Sequence, residues 1–217
     1  MNKTKLELEL YNKDKKNVIK SNLSYGEINN KVYIQIDFLD TNIRLEGDNY
    51  FEVLNSIRNM IYPYIPLVYG CDIEYFPSSS SLQMSLGTVL YKEEFTLPAI
   101  ESKFIFEKHI INENLTTPMY QIARHYIWFK TLGIEERYGI DKEYILIEKV
   151  SKFKYLPYKV LNENYQYFWI YDKKQNVVYD TKNLADIKRF KEGRLMYKWK
   201  SFNEFLEWYY LNYIKKV

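Results

Sequence analysis

The chain has 217 residues, of which 47% are hydrophobic and 27% charged, with a formal net charge of +3. This composition supplies a core and excludes disorder as the main state, while seven glycines and six prolines exclude collagen-like and low-complexity classes. One cysteine, Cys71, excludes a disulfide framework and a cysteine-based zinc site. We expect a cytoplasmic protein without a transmembrane helix or signal peptide, because no long apolar run occurs and the first residues are charged and alternating.

The N-terminal part is predicted to form an antiparallel meander of strands. Leu6, Leu8 and Leu10 alternate with polar residues, which indicates a strand with one buried face. Asn29 and Asn30 are typical of a turn, since asparagine tolerates positive φ. The predicted strands cover residues 5–11, 18–28, 31–39 and 42–46.

A helix is predicted to follow the meander. Asn49 and Glu52 have the spacing of a capping box, and Pro63 ends the helical pattern. Beyond it we expect apolar stretches over 67–69 and 73–76 and a polar loop over 78–81. The predicted apolar face of the helix contains Tyr50, Val53, Leu54, Ile57, Met60 and Ile61.

The polar stretch 109–117 is the best candidate for a domain boundary. Thr117 and Pro118 then have the order of an N-cap and first helical residue, and Gly133 is a plausible end of that helix. Its predicted apolar face contains Met119, Ile122, Ala123, Tyr126 and Ile127. Further strands are predicted over 144–150, 155–161, 165–171 and 177–179, a short helix over 183–190, and a closing helix capped by Ser201 and Glu204.

This order of elements predicts an α+β fold, because strands follow one another in meanders and do not alternate with helices. We expect two subdomains, 1–108 and 115–217, each an antiparallel β-meander with one or two helices packed on one face. Charge differs between the halves: residues 1–110 contain 12 Lys and Arg against 15 Asp and Glu, whereas residues 111–217 contain 19 against 13.

Residues 51–91 carry a pattern of a helix, a glycine, a Pro-Ser pair and a later Met and Gly. The segment resembles a family of small, mostly uncharacterised bacterial proteins with a Pro-Ser-Gly-Met and later Met-Gly pattern, although Ser79 and Ser80 replace its Gly-Met. The whole chain resembles accessory proteins of bacterial toxin or phage-conflict genes. This resemblance implies a class and no active site. The matching residues are Phe51, Arg58, Gly70, Pro77, Ser78, Met84, Gly87 and Tyr91.

No strong catalytic motif is present in the sequence. His109 and His125 lack metal-binding spacing, and we expect His125 on a helix surface or interface. Cys71 precedes Asp72, whose charge disfavours a thiolate, so we interpret it as packing. Gly-rich phosphate loops and nucleophile elbows are absent. We therefore expect no enzyme activity, no cofactor and no metal.

Two segments are candidate binding sites. Asp72, Glu74, Ser78 and Ser79 lie in a possible binding loop, where the two carboxylates form a candidate pair for acid–base work or a divalent ion, although a solvated face is the simpler interpretation. Residues 182–200 carry a local charge of +5 with interleaved aromatics, a pattern that suits a protein partner or single-stranded nucleic acid. The candidate residues there are Arg189, Arg194, Tyr197, Lys198 and Trp199.

We expect a non-catalytic protein-binding module, similar to an immunity protein or inhibitor, that occludes a partner such as a toxin or a defence or host protein. We expect a surface rich in Tyr, Trp and Arg, and rigid aromatics give contact area at low entropic cost. Two alternatives stay open: a nucleic-acid-binding protein that uses residues 182–200, and a small-ligand-binding protein that uses the loops of residues 70–91.

Overall fold

The computed structural model describes residues 3–132, 144–148, 168–180 and 197–215. Within these ranges the protein has the predicted α+β class with antiparallel sheets, of which there are three. In chain order the sheets contain five, three and four strands. None of the helices in the described ranges has the length and apolarity that crossing a membrane requires.

The first sheet is the predicted meander with one strand added at its edge. Its strands are β1 (Lys3–Asn12), β2 (Asn17–Ile28), β3 (Lys31–Phe38) and β4 (Thr41–Gly47). Leu23 pairs with Leu6 on one side and Ile36 on the other, so the apolar positions of neighbouring strands share one face. Asn29 and Asn30 both have positive φ, as the turn between β2 and β3 requires.

Helix α1 (Tyr50–Ile61) packs its apolar face into the same core as this sheet. Asn49 accepts a hydrogen bond at 2.9 Å from the backbone N–H of Glu52, which confirms the predicted cap. The prediction for Met60 is wrong, because its side chain is 58% exposed, whereas Arg58 is buried. Residue 58 lies four positions after Leu54, and this spacing places it on the buried face.

The chain after α1 returns to the first sheet and then builds the second. Strand β5 (Tyr64–Pro66) pairs with β1, and a 3-10 turn (Tyr69–Cys71) follows. The second sheet contains β6 (Tyr75–Phe76), β7 (Val89–Lys92) and β8 (Ser102–Phe104), with helix α2 (Ser79–Met84) between β6 and β7. The predicted polar loop over 78–81 is thus a helix start, because Ser78 accepts a hydrogen bond from the N–H of Ser81 and caps it.

Helix α3 (Pro118–Phe129) begins at the predicted residue and is followed by the third sheet. This sheet contains β9 (Tyr144–Glu148), β10 (Phe168–Asp172), β11 (Val177–Asp180) and β12 (Tyr197–Trp199). The predicted hairpin is confirmed as β10 and β11, which pair from Trp169 with Asp180 to Asp172 with Val177. The predicted strand 155–161 and helix 183–190 lie outside the described residues.

Aromatic side chains fill the core beneath the closing helix α4 (Phe202–Tyr209). The ring of Phe205 lies 5.3 Å from that of Trp169 and 4.9 Å from that of Trp199, and the rings of Trp199 and Trp208 are 4.8 Å apart. Ser201 caps α4 by accepting from the N–H of Glu204 at 3.1 Å, as predicted. A π-helical turn (Tyr210–Ile214) continues the chain.

The chain divides into two compact units. The first unit contains residues 1–93 and 99–122, and the second contains residues 94–98 and 123–217. The segment 94–98, which lies between β7 and β8 in sequence, therefore belongs to the second unit. The predicted ranges 1–108 and 115–217 stay a prediction.

Candidate functional site

The basic and aromatic segment is described only at its end. Arg189 and Arg194 lie outside the described residues, and for Tyr197 and Lys198 the structure describes the backbone in β12. Trp199 is 3% exposed and packs in the aromatic core, so its predicted role as a surface anchor is wrong. The physical reason is that its ring packs against those of Phe205 and Trp208 in the closing helix.

In the predicted binding loop of residues 72–79, Asp72 and Ser78 form hydrogen bonds within the protein. Asp72 is 2% exposed, and its Oδ1 accepts a hydrogen bond at 2.7 Å from the N–H of Glu74. Ser78 caps α2, and Ser79 is exposed in the first turn of that helix. The predicted pairing of Asp72 with Glu74 as acidic groups on one strand is wrong, because Asp72 follows the 3-10 turn and its carboxylate bonds elsewhere.

The other carboxylate oxygen of Asp72 lies within hydrogen-bond distance of His109. The sequence pattern did not indicate this pair. Nε2 of His109 lies 2.7 Å from Oδ2 of Asp72, and Nδ1 lies 2.7 Å from the carbonyl oxygen of Ile110. Since a carbonyl only accepts, Nδ1 carries a proton, and one further proton lies between Nε2 and Oδ2. The pair is therefore neutral overall, as imidazolium with carboxylate or as imidazole with carboxylic acid.

Burial and aromatic packing seal this pair from solvent. The side chains of His109 and Asp72 are 5% and 2% exposed, and the ring of Tyr69 packs edge-on against the imidazole at 4.5 Å. A general acid or base must come within hydrogen-bond reach of its substrate. The pair consequently holds the segment around residue 109 against the turn around residue 72.

Arg58 is the centre of a second buried polar network. Its Nη1 donates to Oδ1 of Asn55 at 2.7 Å, to Oε1 of Gln121 at 2.6 Å and to the carbonyl oxygen of Gly70 at 3.0 Å. Its Nη2 donates to the carbonyl oxygen of Thr116 at 2.6 Å. One guanidinium thus joins α1, the 3-10 turn and the start of α3.

Gln121 extends this network toward β6. Its Nε2 donates to the carbonyl oxygens of Asp72 at 2.8 Å and Tyr75 at 2.7 Å, and the residue has no exposed surface. Its amide orientation is fixed, because Oε1 faces the donor Arg58 while Nε2 faces carbonyl oxygens. The sequence carried one signal of this arrangement, an arginine at a buried position of an amphipathic helix.

Arg58 has no carboxylate partner among the described residues. Burial lowers the pKa of its guanidinium, and only a thiolate at Cys71 would oppose this effect. Burial raises the pKa of Cys71 to about 11, so this thiol is protonated at neutral pH. The positive charge of Arg58 is therefore held by neutral acceptors, which is unusual for a buried cation.

Helix α3 carries an exposed aromatic face, which we define as His125, Tyr126 and Phe129. Tyr126 is 50% and Phe129 56% exposed, whereas Ala123 and Ile127 on the other side of the helix are fully buried. The ring of His125 lies 4.8 Å from that of Phe129 and 5.8 Å from that of Tyr126. The prediction of Tyr126 as a core residue is wrong, while that of His125 on the helix surface agrees with its intermediate exposure.

The π-helical turn adds further exposed side chains in the second unit. Leu211 is 43% and Tyr213 40% exposed, and the ring of Tyr213 stacks on that of Tyr209 at 5.0 Å. Burial raises the pKa of Tyr209, and the phenols of Tyr213 and Tyr126 add to this rise.

Comparison of the chain with protein-family models and with curated proteins finds no match. The resemblance of residues 51–91 to small bacterial proteins consequently stays a prediction. Within the described ranges, His, Cys, Asp and Glu do not gather in any group of three or more that could hold a metal ion.

Proposed function

We propose that this chain is a non-catalytic protein-binding module that occludes a partner protein in the manner of an immunity protein or inhibitor. The observation that carries this proposal is the aromatic face of α3. Tyr126 and Phe129 lie one turn apart and are 50% and 56% exposed, whereas Trp128 of the same helix is 7% exposed. Aromatic rings are enriched at the centres of protein interfaces, where they combine large contact area with few rotatable bonds.

The position of these rings supports an interface rather than a stability role. Trp128, the neighbouring aromatic, is 7% exposed and donates from Nε1 to the carbonyl oxygens of Glu94 and Leu97 at 2.9 and 3.0 Å. The helix is thus already fixed on its buried side. Tyr126 and Phe129 gain from burial only when a second surface covers them.

The buried polar networks support the non-catalytic part of the proposal. His109 and Asp72 are sealed, and the donors of Arg58 that face protein are bonded to carbonyl and amide oxygens. The hydrogen bonds of His109, Asp72 and Arg58 hold backbone segments of the first unit together. We place the activity in the cytoplasm and the partner among toxins or defence or host proteins, and we propose an acidic or neutral partner because the C-terminal half is basic.

Co-expression with the product of the adjacent gene tests this function. We expect the two proteins to co-purify and the chain to suppress any toxicity of its neighbour. The double variant Tyr126→Ser/Phe129→Ser should weaken binding by about 30-fold or more, the loss expected for hot-spot aromatics.

A matched control uses two other exposed apolar residues. Met84 and Ile100 are 87% and 92% exposed and lie outside the aromatic face. The variant Met84→Ser/Ile100→Ser should bind as wild type does. A chain that neither binds nor protects against its neighbour, or an aromatic-face variant that binds with unchanged affinity, would overturn the proposal.

A further inference from the structure

A cleft with a volume of about 400 Å³ lies on the outer face of the first sheet. Strands β1, β2 and β3 form it, and its two apolar lining residues, Leu6 and Leu23, pack into the core on the other face. The volume is within the range of small-ligand pockets, about 300–1,000 Å³. The polar residues of the lining include Lys5, Glu7, Asn22, Ser24, Gln35 and Asp37.

The strand register places these polar side chains in adjacent rows. Lys5 pairs with Ser24, and Ser24 pairs with Gln35, so one row crosses all three strands. Glu7 and Asn22 pair two residues further along, and their side chains therefore point to the same face. Directly paired side chains have Cβ atoms about 4.5–5.5 Å apart, so one small molecule can contact several of them at once.

Ser24 is the most buried polar residue of this lining. It is 8% exposed, although its alternation with the core residue Leu23 directs it to the outer face. Within the described ranges, its hydroxyl makes no hydrogen bond, and neither does the side-chain amide of Gln35 beside it. Buried polar groups are almost always paired, and a free hydroxyl at this depth is therefore available to a bound polar molecule.

The carboxylates of the cleft already have partners in the protein. Glu7 forms an ion pair with Lys20 at 3.0 Å. Oδ1 of Asp37 accepts a hydrogen bond from the side-chain amide of Asn42 at 2.6 Å, and Oδ2 accepts one from that of Asn22 at 3.3 Å. These bonds fix the orientation of Asp37, and its remaining lone pairs can accept from a ligand.

Lys3 and Lys5 contribute positive charge that the protein does not pair. Both side chains are exposed, and neither forms an ion pair with any residue that the structure describes. Their ammonium groups favour a negative group on the ligand. Attraction between exposed charges is weak and is screened by salt, so the polar groups beside the lysines must supply much of the selectivity.

We propose that this cleft binds an acidic sugar, a hydroxyl-rich ring that carries one carboxylate. The carboxylate pairs with Lys3 and Lys5. Ring hydroxyls, which both donate and accept, match the hydroxyl of Ser24 and the amide of Gln35. The absence of apolar side chains among the lining residues suits a ligand without a large apolar part. This site goes beyond protein binding, and it belongs to the first unit, whereas the aromatic face of α3 belongs to the second.

Titration with glucuronate tests this site, with glucose as the neutral sugar of the same ring and acetate as the carboxylate alone. Ligand-observed NMR on the full chain gives each Kd. We expect glucuronate to bind, and glucose and acetate to bind at least about tenfold more weakly, because glucose lacks the charge and acetate lacks the hydroxyls.

Two variants assign the binding to the cleft. Lys5→Gln should weaken glucuronate binding about tenfold and leave glucose binding unchanged, since it removes one charged donor. The matched control is Lys15→Gln, which makes the same change of net charge at an exposed turn outside the cleft and should bind as wild type does.

Ser24→Ala removes only the free hydroxyl. The variant should unfold at the same urea concentration as wild type, because no hydrogen bond of the protein is lost. It should bind glucuronate about fivefold more weakly, the loss expected for one hydrogen bond.

Several results would overturn the proposal. Absence of glucuronate binding at millimolar concentration refutes the site itself. Equal binding of glucuronate and glucose refutes the role of the lysines, and equal binding of glucuronate and acetate reduces the site to adventitious anion binding. An equal loss in Lys5→Gln and Lys15→Gln, or a Ser24→Ala variant that binds as wild type does, places any binding outside this cleft.

Discussion

Replacement of Arg58 by methionine should be among the most destabilising single changes in the first unit. Methionine keeps the length and apolar stem of the side chain but removes every donor. The acceptors that lose Arg58 are Oδ1 of Asn55, Oε1 of Gln121 and the carbonyl oxygens of Gly70 and Thr116. The two carbonyls belong to the backbone and cannot rotate away.

Two opposing contributions set the size of the effect. Each buried acceptor left without a donor costs about 1–3 kcal/mol, although Gly70 keeps a weaker contact at 3.3 Å from Nε2 of Gln121. Removal of the buried charge recovers part of its desolvation cost. Three acceptors left without any donor, at about 1–3 kcal/mol each, give about 3–9 kcal/mol, and after this recovery we expect a net loss of about 3–5 kcal/mol.

Urea unfolding followed by circular dichroism measures the change. The matched control is Arg44→Met, since Arg44 is a surface arginine that pairs with Glu46 at 2.9 Å and stacks on the ring of Tyr33. We expect this control to lose less than about 1 kcal/mol. An Arg58→Met variant that is as stable as the control would refute the idea that the guanidinium holds these segments together.

Four further outcomes are expected. Gly70→Ala should destabilise the protein by about 1–3 kcal/mol in urea unfolding, because an added Cβ would lie 2.5 Å from a buried leucine methyl group. Cys71, which is fully buried and whose pKa is raised to about 11, should react with a thiol reagent only after denaturation; rapid labelling of the native protein would contradict this. Burial raises the pKa of Tyr50 from 10.0 to about 12, so unfolding releases a proton in that pH interval. The free energy of unfolding should therefore fall as the pH rises from 10 to 12, and thermal melts at each pH will measure this change. If residues 182–200 bind nucleic acid, oligonucleotide retardation should be lost with salt and with Arg189→Glu/Arg194→Glu; binding that survives both changes would refute this alternative.

The sequence predicted the elements that depend on local pattern. Alternation of leucines placed β1, and the Asn49 and Ser201 caps placed the starts of α1 and α4. These signals are local because a strand exposes every second residue and an N-cap bonds three residues ahead. The α+β class followed from the order of such elements.

The buried polar pairs could not be predicted in the same way. Asp72 and His109 are 37 residues apart in sequence, and Arg58 and Gln121 are 63 apart. Their contacts depend on how the segment before α3 returns to the 3-10 turn, which no periodicity encodes. Tyr126 shows the complementary error: helical spacing marks it as core, but the structure leaves it at the surface.

Strand β4 at the margin of the first sheet has a consequence for solution behaviour. Its burial alternates between exposed and intermediate along most of its seven residues, and it carries Arg44 and Glu46 as an ion pair. An edge strand can pair with a strand of another chain and so extend the sheet, and charged side chains on the edge strand oppose such pairing. We expect concentrated samples to resist fibril growth through β4, and neutralising both charges should remove that protection.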